Sequence, residues 1–371
     1  MKEASMTAGK KSITLLAVGD ILVNRDNPES LLAQVAPALR QGDITFAQCE
    51  CSYSERGQRA DNRGWGGFRA HPRNVPAIAH AGIKVVSIAG NHTMDYGPDA
   101  FCDTLDIFRQ NEIKTIGGGR DIKEARTPAL FEIDGTRLAF LGYNSIIKPE
   151  WIAREDHPGM APLQVKTFYE QLDWQPGTPA KIWTLPVLDD MLAVENDIAG
   201  ARRMADIVVV SIHWGVHHKS EAAMYQIEAG HRMIDAGADL ILGHHTHRLN
   251  PIAKYKGKYI FFGLGNFAFQ SGKDPNDPYL QITKQLYDTS PLGKGAHKTN
   301  ESRNSIMVKC EIVDKKLQRV SFRPATANDQ AEPRIVPPTD SYGREIIEYL
   351  ENSSREFGVN LLVEGDEVVL Q

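Results

Sequence analysis

Apolar residues along the chain fall into short β-branched runs separated by stretches of helical spacing. Residues 13–18 form a run of strand length that ends in Gly19-Asp20, and residues 28–39 place Leu31, Leu32, Val35 and Leu39 on one helical face. Residues 44–47 read as a second strand, ending near Glu50, and the Gly- and Arg-rich stretch 56–69 reads as a loop. A short helix over 74–81 stops at Gly82, and the strand-like run 84–89 leads into Gly90-Asn91-His92. Pro98 near a first turn predicts a helix running towards Gln110. Residues 114–116 are another strand, and Gly117-Gly118-Gly119 after them reads as a turn, lacking the Lys-Ser/Thr of a phosphate loop. Residues 131–133 and 137–143 flank Asp134-Gly135, a hairpin signal.

Between 146 and 184 the pattern fails, broken by Pro149, Pro158, Pro162, Pro176 and Pro179, and this stretch is expected to be an insertion over the site. Regularity returns with a helix from Asp189 through Arg203 and the strand 206–212, which ends in His213-Trp214-Gly215. A helix over 222–236 stops at Gly237, and the strand 239–242 runs into Gly243-His244-His245. Residues 251–255 and 258–262 pair across Lys256-Gly257, and the polar stretch 270–305 reads as a second insertion. A late hairpin (306–313 with 317–322), an amphipathic helix over 342–357 and a hairpin at Gly365-Asp366 end the chain. Strands alternating with helices predict a layered α/β fold. We expect a single catalytic domain over 1–371, with insertions at about 146–188 and 270–305 and a C-terminal helix plus hairpin at about 342–371.

Polar residues punctuate this pattern at one kind of place. Asp20, Glu50, Asn91-His92, His213 and His245 to His247 each lie just beyond the C-terminal end of an expected strand. Loops at that edge of an α/β sheet converge on one crevice, so residues far apart in sequence meet in space.

Composition narrows the function. With 371 residues, net charge −5, 42% hydrophobic and 24% charged residues, the chain is neither a disordered tail, a collagen-like repeat nor a disulfide scaffold. No basic stripe points to nucleic acid. Cys49 and Cys51 are spaced C-x-C, neither a redox pair nor a zinc knuckle, and read with Cys102 and Cys310 as reduced thiols. No apolar run approaches the ~18 residues of a membrane helix, and the first residues lack a signal-peptide pattern. We therefore expect a cytoplasmic protein without membrane contact. Seven of the twelve histidines lie in three short segments, which points to metal.

Asp20, Glu50, Asn91, His213, His245 and His247 offer carboxylate, amide and imidazole donors, a mixture suited to Mn, Fe or Zn. Taken singly, Asp20 could cap a helix, Glu50 could be solvated and Asn91-His92 could form a turn. Three imidazoles within Gly243-His244-His245-Thr246-His247 have few purely structural uses. One or two divalent ions are expected. Two ions about 3.5–4 Å apart would need a bridging carboxylate, from Glu50 or Asp20.

The same residues carry a resemblance. Gly19-Asp20, the Glu50 segment, Gly90-Asn91-His92-Thr93-Met94-Asp95-Tyr96-Gly97, His213-Trp214-Gly215, Gly243-His244-His245-Thr246-His247 and Gly263-Leu264-Gly265-Asn266-Phe267 resemble, in order and spacing, the motifs of the CapA (poly-γ-glutamate capsule synthesis) family. That family is similar in fold to the calcineurin-like metallophosphoesterases. The resemblance covers roughly residues 13 to 270 and implies a four-layer α/β/β/α metallophosphatase-like sandwich with mixed sheets. It implies Asp20 and His247 at a first metal, Glu50 as the bridge, and Asn91, His213 and His245 at a second. His92 would protonate a leaving group or steady an oxyanion, with Asp95 orienting it. Two departures stand out: the D-x-H opening of metallophosphoesterases is Asp20-Ile21-Leu22, and the family's H-W-G-x-E is His213-Trp214-Gly215-Val216-His217.

Substrate contacts are expected from the loop arginines Arg56, Arg59, Arg63 and Arg69 beside Trp65, with Arg56 and Arg69 foremost, since arginine binds phosphate or carboxylate bidentately. Trp214, His217 and His244 join them, Trp214 either packing the site wall or stacking on substrate. His217 is open to three roles: extra ligand, substrate contact or polar surface. The expected function is metal-dependent hydrolysis, a metal-held hydroxide attacking a phosphoester of a small anionic substrate. An amidase acting on γ-glutamyl or lactam bonds, and a non-catalytic accessory protein of poly-γ-glutamate handling, are the alternatives. Oligomeric state is not legible.

Overall fold

The computed structural model describes residues 12–60, 67–270 and 303–371. Most of the insertion expected at 270–305, together with Arg63 and Trp65, lies outside the described residues.

Two mixed sheets lie face to face. In the larger, Ile13–Leu22 pairs in parallel with Ile44–Cys49, which pairs in parallel with Val85–Ser87, and that strand with Lys114–Ile116. On its other side Ile13–Leu22 pairs antiparallel with Asn304–Val313, and the order continues through Lys316–Ala327 to the C-terminal hairpin Leu361–Glu364 and Glu367–Leu370. The smaller sheet runs Ile252–Tyr255, Lys258–Phe261, Leu240–His244, Ile207–His213, Thr136–Asn144, Ala129–Ile133. Its three inner pairings are parallel.

The two-residue period of a strand explains the layers. In the first strand Leu15 and Ala17 face the second sheet, where they join Phe46, Phe140, Val209, Leu242 and Phe261. The rings of Phe46 and Phe140 lie parallel with centroids 6.3 Å apart. Leu16 and Val18 face the other way, onto a helical layer carrying Leu31, Leu39, Ile78, Phe101 and Phe108. The outer face of the smaller sheet, through Leu141, Val208, Val210 and Ile241, packs on Met191, Val194 and Ile198 of helix Leu188–Met204 and Met233 of helix Met224–Asp235. The result is the expected α/β/β/α sandwich. The last long helix, Ser341–Ser354, adds Ile346 and Leu350 to the inter-sheet core.

Two local expectations change. The single helix over 28–39 is two short helices, Pro28–Leu32 and Ala36–Leu39. Pro37 is the reason: it has no N–H to donate to the preceding turn, and it is accommodated in the first turn of a new helix. The proline-rich stretch after 146 is not patternless. Val165–Glu170 and Lys181–Pro186 pair antiparallel, with Pro176 and Pro179 in the connection rather than the strands. Thr184 Oγ1 in this hairpin accepts the Tyr225 N–H at 3.3 Å, tying it to helix Met224–Asp235. Among the described residues no helix is long and apolar enough to cross a membrane.

Candidate metal centre

The C-terminal ends of Ile13–Leu22, Ile44–Cys49, Ile207–His213 and Leu240–His244 deliver their polar residues to one place. Asp20, Glu50 and His213 are all buried, with ligand atoms within 4.8 Å of one another. Asp20 lies opposite Asn266 and Gln48 in its sheet, and His213 opposite His244 in the other. Close backbone approach makes the junction. The Asp20 N–H donates to the Gly265 carbonyl at 3.0 Å, and a Cβ on Gly19 would lie 1.9 Å from that oxygen.

The donors form two groups on either side of Glu50. In the first, His213 Nε2 lies 2.8 Å from Asn91 Oδ1 and 3.2 Å from His245 Nδ1. Ligands about 2.1 Å from one ion, at angles of about 90–110°, sit about 3.0–3.4 Å apart, so these atoms have nearly the spacing of a shared cation. In the second, Asp20 Oδ2 lies 3.6 Å from the His247 ring at Nδ1, which Asn266 engages, so the donor of this ring is Nε2. Glu50 Oε1 stands between them, 3.8 Å from His213 Nε2 and 3.9 Å from His247 Nε2. Both Glu50 oxygens are buried without a hydrogen-bond partner. Such a carboxylate carries a large desolvation cost, which a cation would relieve. The residues therefore fit the divalent ions that the donor chemistry suggests.

Outer contacts aim these ligands. His244 Nδ1 meets Asp20 Oδ1 at 3.0 Å, and the His245 N–H donates to Asp20 Oδ2 at 3.4 Å. His247 Nδ1 meets Asn266 Oδ1 at 2.8 Å; the amide oxygen only accepts, so Nδ1 carries the proton and Nε2 is left facing Glu50. The turn after Leu240–His244 is strained, with φ of +94° at His245 and +55° at His247. Non-glycine residues in this region cluster where surrounding structure enforces a functional geometry.

His92 and Asp95 form a pair beside these donors, His92 partly exposed and Asp95 buried. His92 Nδ1 is 2.8 Å from Asp95 Oδ2, which also accepts the N–H groups of Gly67 at 2.6 Å and Phe68 at 3.0 Å. Asn91 Nδ2 donates to His92 Nε2 at 3.3 Å, so Nδ1 holds the ring proton and Nε2 the lone pair. The Phe68 ring packs edge-on to His92, with centroids 4.4 Å apart.

The electrostatics follow from burial. Glu50 is pushed well above the ordinary carboxylate value, first by desolvation and then by the Asp20 charge. His213, His217 and His245 are held well below the ordinary imidazole value, first by desolvation and then by one another and neighbouring histidines. Without metal, burial favours the neutral forms of His213, His217 and His245 and the protonated form of Glu50, and divalent ions would oppose the latter.

The cluster thus brings together Asp20, Glu50, Asn91, His92, Asp95, His213, His245 and His247, with His217 beside it. Four expected substrate contacts are placed otherwise. Trp214 is buried in the helix-side core and donates its Nε1–H to the Phe262 carbonyl at 2.9 Å. His244 is buried, spent on Asp20 and packed on Phe46. Arg56 reaches outwards to Asp103 and Asp99 of helix Gly97–Gln110. The Arg69 guanidinium lies 4.1 Å from the centre of the Tyr96 ring and donates to the Arg56 carbonyl at 3.2 Å. Two contributors had no assigned role in the sequence reading, Asn266 and Phe68. Asn266 was within reach, since Gly265-Asn266 repeats the Gly-Asn of Gly90-Asn91.

The family model described as "Bacterial capsule synthesis protein PGA_cap" matches residues 14–271. "PGA biosynthesis protein CapA" of Bacillus subtilis (strain 168) is 28% identical over 266 residues, covering 69% of this chain and 63% of that protein. "Capsule biosynthesis protein CapA" of Bacillus anthracis is 28% identical over 274 residues, covering 71% and 61%. A "Probable polyglutamine synthesis accessory protein" of Mycobacterium tuberculosis (strain ATCC 25618 / H37Rv) is 26% identical over 332 residues, covering 88% and 76%. The match thus spans about three-fifths of the length of the two Bacillus relatives.

Proposed function

This chain belongs to the bacterial capsule synthesis protein family, and from that premise we propose that it is a metal-dependent hydrolase of a small anionic phosphoester. One observation carries the reading: Glu50, wholly buried and unsatisfied, stands between two groups of nitrogen and oxygen donors. Asn91 Oδ1, His213 Nε2 and His245 Nδ1 would hold one ion, Asp20 and His247 Nε2 the other, and Glu50 both. Donors without thiolate suit Mn, Fe or Zn. When bound, the ions supply Lewis-acid activation of the scissile group and of the attacking water.

The chain's own residues do the rest. His244 and Asn266 keep Asp20 and His247 in their orientations. His92 takes up a proton at Nε2 and delivers it to the leaving oxygen, the positive ring being steadied by Asp95 through Nδ1. Asp95 is itself fixed by two backbone N–H groups, so the pair does not reorganise as charge develops. Phe68 covers one side of the imidazole and limits its contact with water.

A second reading has an amide carbon as electrophile, and a third, a non-catalytic accessory role, is favoured by the name of the mycobacterial relative, an accessory protein of polyglutamine synthesis. The test is a screen of the metal-loaded protein against phosphomonoesters, phosphodiesters and γ-glutamyl amides, with His245→Ala and Asn91→Ala as controls. Both variants lose bound metal and turnover together. Turnover of amides alone moves the function to the second reading. Salt-sensitive binding of polyglutamate with no turnover of any substrate establishes an accessory role instead. Full activity in metal-free His245→Ala sinks the proposal.

A further inference from the structure

The two sides of the centre are unequally supplied. Asn91, His213 and His245 serve one side of Glu50, whereas Asp20 and His247 serve the other. We propose that His217 is a metal donor, an imidazole added to the Asp20–His247 side of the centre.

Its position is built rather than incidental. The loop after His213 turns at Gly215, whose φ is +92° and whose N–H donates to the Tyr225 hydroxyl at 2.6 Å. The His218 N–H donates to the Thr246 carbonyl at 3.0 Å, between His245 and His247. The Lys219 carbonyl accepts from Asn250 Nδ2 at 2.8 Å, and Asn250 Oδ1 accepts from the Thr246 hydroxyl at 2.6 Å. These contacts clamp the His217 loop onto the strained turn that presents the two histidines.

The ring spacing suits a shared ion. The His217 centroid lies 4.9 Å from that of His247, its neighbour on this side of Glu50, and 5.4 Å from that of His245 on the other. An imidazole bound through a metal–nitrogen distance of about 2.0–2.1 Å has its centroid roughly 3.2 Å from the ion, so rings on one ion at about 90–110° stand about 4.5–5.2 Å apart, a range that holds the His217–His247 spacing. With His217 added, each side of Glu50 has three further donors. The added donor is neutral, so it completes a coordination shell without adding to the carboxylate charge already buried at Asp20 and Glu50.

This inference rests on the metal reading above, and its test separates the two. The full chain, stripped with a chelator, is titrated with Co2+ and Zn2+ by calorimetry and visible absorption, and bound ions are counted by mass spectrometry. His217→Ala and His217→Phe are compared with the unaltered chain, the phenylalanine keeping a ring against His245. Melting of the metal-free proteins verifies folding. Both variants should bind one ion at least about tenfold more weakly and change the Co2+ absorption bands. His217→Glu, which restores a donor, should recover the affinity. Titrations and spectra of both variants that superimpose on the unaltered chain overturn the role of His217 alone. An unaltered chain that binds no ion overturns the metal reading and this inference together.

Discussion

Glu50 offers a prediction in which stability and metal binding move in opposite directions. Glu50→Gln keeps the shape of the side chain and removes its charge. In the metal-free protein the carboxyl is held well above its ordinary value of 4.5, by burial first and then by Asp20. The folded chain therefore keeps this proton to higher pH than the unfolded chain. The stability contributed by Glu50 is complete below the ordinary value and is lost as pH rises to the raised one. Glutamine cannot ionise, so the metal-free variant escapes this loss and is more stable than the unaltered protein at alkaline pH. With metal the order inverts. Opposite unit charges 4 Å apart interact by about 4 kcal/mol at an effective dielectric of 20, and a dication doubles this. Deprotonating and desolvating the carboxylate offsets much of that gain, leaving a net of roughly 3 kcal/mol, or about 100-fold in affinity. The assay is urea unfolding across a neutral-to-alkaline series, in chelator and in saturating Zn2+, with metal affinity from calorimetry. A Glu50→Gln protein less stable than the unaltered one in chelator at alkaline pH, or one with undiminished metal affinity, refutes the reasoning.

Three further outcomes follow from the same geometry. His92→Ala should lower turnover by about 10²–10⁴-fold while leaving bound metal unchanged, and Asp95→Asn should lower it by less; metal loss in His92→Ala would show that the ring is a ligand rather than a proton donor. Gly19→Ala should destabilise the metal-free fold by about 1–3 kcal/mol in urea unfolding, because its Cβ would lie 1.9 Å from the Gly265 carbonyl oxygen and neither strand can retreat; a change below about 0.5 kcal/mol contradicts that contact. His213, His217 and His245 are held neutral below the ordinary value of 6.5, so on acidification the unfolded chain takes up protons first. Metal-free stability should therefore fall as pH drops below 6.5, by up to about 1.4 kcal/mol per pH unit for each histidine; a stability curve that is flat there removes the claim that they are buried uncharged.

How much of this was legible in the sequence depends on what each residue's role requires. That Asp20, Glu50, Asn91, His213, His245 and His247 converge is legible because each follows an apolar run, and the C-terminal ends of parallel strands share one edge. Of the two readings of Trp214 the structure has it packed, although it adjoins His213: neighbouring side chains leave an extended backbone in opposite directions, so one enters the centre and the other the helix-side core. Arg56 was misplaced because its partner Asp103 sits on a helix that only the fold brings near. Pro37 and the β-branched and aromatic residues of Val165–Glu170 are local signals, and both bear on helix and hairpin limits rather than on the site. The residues that hold ligands in place are a different matter. His244 holds Asp20 across 224 positions, and Asn266 holds His247 across 19. A ligand is recognisable from its own chemistry, whereas a supporting residue is defined by what it touches. That contact depends on the register between Asp20 and Asn266 in one sheet and between His213 and His244 in the other, and on how closely Gly19 lets the first strand approach Gly265. The candidate metal centre is therefore written in residue types at strand ends, but its precision is written in register and close packing, where one added methyl group at Gly19 should be enough to disturb it.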